Sequence, residues 1–171
     1  LDGQTIGFIG LGLMGKPMAR NLQAAGAKMI VHNRSQAVVD ELAGEGMTPA
    51  KTPAEAAAAG IVILMLSDTP AVAVINGPGG VLEGLGDGGL VIDMGTSKVP
   101  ATRKLAAAVI AGGGDYVDAP VSGGTIGAEA GSLTIMVGGS DAAVARAMPL
   151  FEVLGAKTTH VGDIGCGQIT K

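Results

Sequence analysis

Tryptophan is absent from this 171-residue chain, and only one tyrosine and two phenylalanines stand in for it. A folded core must therefore be built from Val, Ile, Leu, Ala and Met, and the eight methionines read as packing rather than as a cofactor box. A single cysteine, Cys166, excludes an internal disulfide and fits a reducing compartment. Set between Gly165 and Gly167, it reads as a small packing residue rather than a redox group. Lys/Arg clusters and aromatic ladders are also lacking, and the formal charge is -4, so nucleic acid is not an expected partner. The longest apolar run, IVILML from Ile61 to Leu66, falls far short of the about 18 residues that a membrane span needs. No membrane partner and no secretory leader are expected, and the chain is read as cytoplasmic.

What is abundant is glycine, at 30 residues, and apolar side chains, at 47%. That balance suits a well-buried core and excludes disorder. Short β-type runs alternate with Ala-rich helical stretches: TIGFI, MGKPMARNLQAAG, KMIVH, SQAVVDELAGEG, IVILML and TPAVAVI. The rhythm resumes with GLVIDM, PATRKLAAAVIAGG, DYVDAP, SLTIMVGG, SDAAVARAMPLFEVLG and KTTHV. Continuous apolar strands imply a sheet covered on both faces, so the expected class is α/β, a doubly wound and mostly parallel sheet of Rossmann type. One sheet is expected over residues 1–161, with residues 162–171 starting a further helix. Ser35, Thr52 with Glu55, and Ser140 are predicted N-caps. Gly26, Gly46, Gly112 and Gly155 are predicted helix stops.

GFIGLGLMGKPMARNL places Gly10, Gly12 and Gly15 at G-x-G-x-x-G spacing, after a strand and before a helix. In that context the first glycine permits a tight turn, the second lets backbone approach a pyrophosphate and the third lets helix pack on strand. A dinucleotide site is predicted. At the end of the second strand an NAD site usually carries Asp or Glu, but here stands His32-Asn33-Arg34-Ser35. A guanidinium and two neutral polar groups suit the 2′-phosphate of NADP, so NADP(H) is favoured, with NAD(H) the other possibility. His32 and His160 read as strand-end residues. Ser67, Asp68 and Thr69 fit equally a cofactor-lining loop or a helix N-cap. The same two readings hold for Thr96 and Ser97, the latter as a cap before Pro100.

With DAPVSGGTIGAEAGSLTIMVGG over 118–139 and GCGQITK over 165–171, the glycine loop makes three motifs in order. Together they resemble the β-hydroxyacid dehydrogenase family, which includes 3-hydroxyisobutyrate dehydrogenases, tartronate semialdehyde reductases and glyoxylate/succinic semialdehyde reductases. The resemblance implies that Ser122, Gly123 and Gly124 bind substrate and that Thr96 lies near the nicotinamide. Lys171 matches the lysine of the family's G-x-G-x-x-x-K motif, the implied catalytic group. The implied cofactor site comprises Gly10, Leu11, Gly12, Leu13, Met14 and Gly15, with Asn33, Arg34 and Ser35. Met65, Leu66 and Ser67, at the end of a strand, complete it. No metal is implied.

The implied chemistry is hydride transfer between nicotinamide C4 and the carbonyl carbon of a small carboxylate-bearing aldehyde or 3-hydroxy acid. A positioned ammonium would stabilise the charge that develops on oxygen and donate the proton. In the family a second, all-helical domain closes the cleft and builds a homo-oligomer. Its asparagine shortly after the lysine has no counterpart up to Lys171. Little or no catalysis is therefore expected from these residues alone, with Lys171 solvated at the chain end. Two alternatives stay open. A 6-phosphogluconate dehydrogenase relative would share the glycine loop, the Asn-Arg pair, the SGG segment and the lysine, but its phosphate-binding basic cluster is not visible. A non-catalytic module that senses NADP is the other. Imine reductases share the N-terminal loops, but DAPVSGG argues against them.

Overall fold

The computed structural model describes residues 1–171, apart from the side chains of residues 68 and 69. The two readings of Asp68 and Thr69 therefore lie outside the described residues. The first half of the chain runs β1 (Thr5–Ile9), α1 (Gly15–Ala24), β2 (Lys28–His32), α2 (Gln36–Gly44), β3 (Thr48–Pro49), α3 (Pro53–Ala57), β4 (Ile61–Leu64), α4 (Asp68–Asn76) and α5 (Val81–Gly84). The second half runs β5 (Leu90–Asp93), α6 (Val99–Ala111), β6 (Asp115–Asp118), β7 (Val121–Ser122), α7 (Gly124–Ala130), β8 (Leu133–Gly138), α8 (Asp141–Leu154), β9 (Gly155–Gly162) and α9 (Cys166–Thr170).

Strands β3-β2-β1-β4-β5-β6 lie side by side in parallel, the reversal of order falling between β1 and β4. Strand β8 then pairs antiparallel with β6 and β7, and parallel with β9. Met136 N–H donates to the Pro120 carbonyl at 3.1 Å, so β6 and β7 follow one flank of β8 with a break at Ala119-Pro120. This is the doubly wound, mostly parallel sheet that the alternating runs predict.

Alternate strand residues face opposite layers, which is why the strands read as continuous apolar runs. Ile6, Phe8, Ile63, Ile92 and Val117 pack with Met18 and Leu22 of α1, Leu42 of α2 and Leu150 of α8. Ile9, Val62, Leu64, Val91 and Tyr116 pack with Ala56 of α3, Ile75 of α4 and Leu105 of α6. Gly7 belongs to the second layer, where a Cβ would collide with the Ala56 carbonyl, so α3 lies directly on the β1 backbone.

All three predicted N-caps stand at helix starts, and two of them bond through the side chain. Thr52 Oγ1 accepts from Glu55 N–H at 3.2 Å and Ser140 Oγ from Ala143 N–H at 3.2 Å. Glu55 reaches back to Lys51 N–H at 2.7 Å, one residue before the cap. Ser35 occupies the N-cap position of α2 but makes no side-chain cap bond. Gly26 and Gly46 end their helices with φ of 101° and 95°. Helix α6 stops at Gly112 as predicted, and the left-handed residue is the next one, Gly113. Gly155 ends α8 as predicted, in extended conformation, and begins β9. Among the described residues, no helix is long and apolar enough to cross a membrane.

Candidate active site

The three loop glycines are required for three different reasons. Gly10 has φ of 98°, and a Cβ on it would run into the Met65 carbonyl. Gly15 opens α1, where a Cβ would strike the Gly10 carbonyl, so the helix meets the loop only without a side chain. Gly12 is under neither constraint: it lacks a positive φ, and an added Cβ would meet nothing within 4 Å. The space above Gly12 is what a pyrophosphate needs to approach the backbone, so the loop fits a dinucleotide. Leu11 is buried and Leu13 is 81% exposed, while Met14 packs against the core beside them.

Asn33 holds this loop from the end of β2. Its Oδ1 accepts from Leu11 N–H at 3.0 Å and its Nδ2 donates to the Ser35 carbonyl at 3.4 Å. The side chain expected at the cofactor thus has its oxygen committed to shaping the loop. His32 sits at its strand end, its Nδ1 3.0 Å from the Ala50 carbonyl.

A cleft of about 760 Å³ opens beside the loop, lined by Gly10, by Arg34 and Ser35 beyond β2, by Leu66 beyond β4, and by Val74 of α4. Lys51, in the turn after β3, lines it too. On the neighbouring surface of α1 the cations are paired, Lys16 with Glu41, and Arg20 with Glu41 and Glu45. The side chains of Arg34 and Lys51 make no hydrogen bond or ion pair among the described residues. No described carboxylate lines the cleft, which leaves it with two uncompensated cations. Met65 N–H donates to the Ile9 carbonyl at 2.9 Å, and Ser67 is the N-cap residue of α4 without a side-chain cap bond.

At the far side of the same sheet end, β7 delivers Ser122, Gly123 and Gly124, all exposed. Gly123 and Gly124 have φ of 134° and 60°, a turn that only glycine makes freely before α7. Lys171 follows α9, and its Nζ donates to the Val121 carbonyl at 2.7 Å, directly before Ser122. Lys171 is exposed, as expected of a solvated lysine, and its ammonium is at the same time hydrogen-bonded beside the SGG turn.

Asp118, at the end of β6, holds the lysine helix in place. It is fully buried, with Oδ1 accepting from Gly165 N–H at 2.7 Å and Oδ2 from Gln168 N–H at 3.0 Å. Burial raises its carboxyl above the ordinary 3.8, against the opposing pull of those N–H groups. Gly165 takes φ of 94°, and a Cβ on Gly167 would come within 2.5 Å of the Met136 carbonyl. The two glycines of GCGQITK are thus a left-handed helix entry and a close approach to β8.

Beside Asp118 lies Asp93 of β5, also fully buried. It accepts from Gly95 N–H at 3.1 Å and from the Tyr116 hydroxyl at 2.7 Å. Burial first, and then the charge of Asp93, push Tyr116 well above its ordinary value of 10.0, which keeps the hydroxyl a donor. Gln168 Oε1 accepts from Ser97 N–H at 3.1 Å, and its Nε2 donates to the Gly95 carbonyl at 2.8 Å. Ser97 is no helix cap: Lys98 holds the N-cap position of α6, and Ser97 Oγ is buried with no hydrogen-bond partner among the described residues. Thr96, between the two braced residues, is exposed. The sequence alone does not mark Lys51, Asp93, Asp118 or Gln168 as site residues, although Asp118 lies in DAPVSGG and Gln168 in GCGQITK.

Comparisons with known proteins agree with this geometry. A family model described as the NAD binding domain of 6-phosphogluconate dehydrogenase matches residues 5–162. The chain is 44% identical over 168 residues to the 2-hydroxy-3-oxopropionate reductase of Escherichia coli, covering 97% of this chain and 57% of that protein. It is 43% identical over 173 residues to an NAD-dependent L-serine dehydrogenase of Pseudomonas aeruginosa, with 98% and 57% covered. Among solved structures, 3-hydroxyisobutyrate dehydrogenase of Mycobacterium tuberculosis superposes with a TM-score of 0.93 at 35% identity, covering 98% of this chain and 57% of that one. A structure of Psf3 in complex with NADP+ gives 0.90 at 35% identity, with 96% and 59% covered. The chain thus spans less than two thirds of the length of each of these proteins. Its sheet, its glycine loop and these matches place it in the family of the NAD binding domain of 6-phosphogluconate dehydrogenase, among the β-hydroxyacid dehydrogenases.

Proposed function

We propose that this domain binds NADP(H) in preference to NAD(H). We further propose that the full-length chain reduces a small carboxylate-bearing semialdehyde, or oxidises the matching 3-hydroxy acid. The observation that carries the reaction is the 2.7 Å contact of Lys171 Nζ with the Val121 carbonyl, which sets an ammonium against the exposed Ser122-Gly123-Gly124 turn. The cofactor supplies the hydride at nicotinamide C4. Ser122 and the turn's backbone amides hold the substrate, and Lys171 stabilises and protonates the oxygen on which charge develops. Arg34 and Lys51 support the cofactor preference, because a 2′-phosphate would pair with both in a cleft where no described carboxylate competes. The names of the relatives, a 2-hydroxy-3-oxopropionate reductase and a 3-hydroxyisobutyrate dehydrogenase among them, support the substrate class. Residues 1–171 alone are expected to bind nucleotide with little or no turnover. Steady-state reduction of 2-hydroxy-3-oxopropionate and succinic semialdehyde by the full-length chain with NADPH tests the reading. NADPH-dependent turnover is expected, and its absence with both substrates would contradict the proposed class.

A further inference from the structure

We propose that Gln168 is a positioning residue that couples the Gly95–Ser97 loop to the helix carrying Lys171; its catalytic meaning rests on the reductase reading above. The side-chain amide is used at both ends, as acceptor for Ser97 N–H at 3.1 Å and donor to the Gly95 carbonyl at 2.8 Å. It offers the loop after β5 the donor and acceptor that a paired strand would offer, and it braces the residues on either side of exposed Thr96. The other contacts of α9 lead elsewhere. The backbone N–H groups of Gly165 and Gln168 go to Asp118 on β6, and Gly167 lies against the Met136 carbonyl of β8.

These anchors, on the loop, on β6 and on β8, set where α9 and with it Lys171 stand. The loop is fixed from below by Asp93, which accepts Gly95 N–H and is itself held by the Tyr116 hydroxyl. A displacement of Thr96 by a bound group therefore reaches Lys171 through two hydrogen bonds and three residues, about 4.5 Å of helix rise. The loop expected at the nicotinamide end and the ammonium expected at the substrate oxygen then move as one body.

Gln168→Met in the full-length chain keeps the length of the side chain and removes both bonds. Gln168→Glu keeps the acceptor for Ser97 and loses the donor to Gly95. Turnover and backbone amide hydrogen exchange are measured on both variants. With Gln168→Met, kcat should fall about 10- to 100-fold, as misplacement of an aligned group does, while KM for NADPH and for the semialdehyde changes less than about threefold. Exchange should quicken together at 95–97 and 165–171 and not in the strands, and Gln168→Glu should fall between. A kcat within about twofold of the unsubstituted chain would overturn the catalytic role. Unchanged exchange at 95–97 would overturn the coupling. A joint collapse of kcat, KM and thermal midpoint in both variants would show a merely structural role. If exchange quickens as expected but the unsubstituted chain reduces no semialdehyde, the coupling stands and the reductase reading falls.

Discussion

Asp93 on β5 and Asp118 on β6 are register partners in neighbouring parallel strands, and both are fully buried. Each carboxylate accepts from backbone beyond its own strand, Asp93 from Gly95 and Asp118 from Gly165 and Gln168. Like charges at one level of a sheet oppose each other and are tolerated only where fixed donors face them. The pair therefore shapes two functional segments from beneath, the loop holding Thr96 and the helix leading to Lys171.

The first prediction concerns Asp118 and pH. Its folded carboxyl is raised above 3.8 by burial, so its contribution favours folding at low pH and is lost as pH rises through the folded midpoint. Carbon NMR of the Asp118 carboxyl should titrate above 3.8. The stability difference between the native chain and Asp118→Asn should shift in favour of the variant as pH rises across that window. A midpoint at or below the ordinary value would contradict the burial argument.

Gly12→Ala and Gly15→Ala separate ligand from packing. An alanine at 15 must push against the Gly10 carbonyl and should cost about 1–3 kcal/mol in denaturant unfolding. An alanine at 12 meets no protein atom and should change stability by less than about 0.5 kcal/mol while weakening nucleotide binding severely. Equal stability losses in the two variants would remove the argument that the space above Gly12 is reserved for a ligand.

Local signals carried much of this in advance. The glycine loop was legible because a strand, three spaced glycines and a helix are neighbours in the chain, and Thr52 with Glu55 announced a cap for the same reason. The SGG turn and Lys171 were legible only as quoted motifs of a family. What could not be read is what tertiary pairing decides. Ser97 looks like a helix cap, but α6 starts one residue later and the Ser97 N–H is taken by Gln168, 71 residues away. Lys51 follows a two-residue strand that includes Pro49, which has no periodicity to reveal that Lys51 lines the same cleft as Arg34. Asp118 is one letter of a motif until Gly165, 47 residues on, donates to it.

Lys171→Ala should lower kcat by about 10²- to 10⁴-fold in the full-length chain, the range of a positioned acid, with NADPH affinity unchanged. Ser122→Ala should lower kcat/KM by about 10²-fold or more if its hydroxyl holds the reacting end of the substrate. Turnover near that of the unsubstituted chain in either variant would end the assigned role of that residue.

The measurement that tests the account most directly is calorimetric titration of the chain with NADPH and, separately, NADH. Tighter NADPH binding is expected. Arg34→Ala and Lys51→Ala should each reduce NADPH affinity by about 10- to 100-fold, the worth of one charge-assisted contact, and leave NADH affinity nearly unchanged. Equal affinity for the two nucleotides, insensitive to both substitutions, would contradict the reading of the cationic cleft as a 2′-phosphate site.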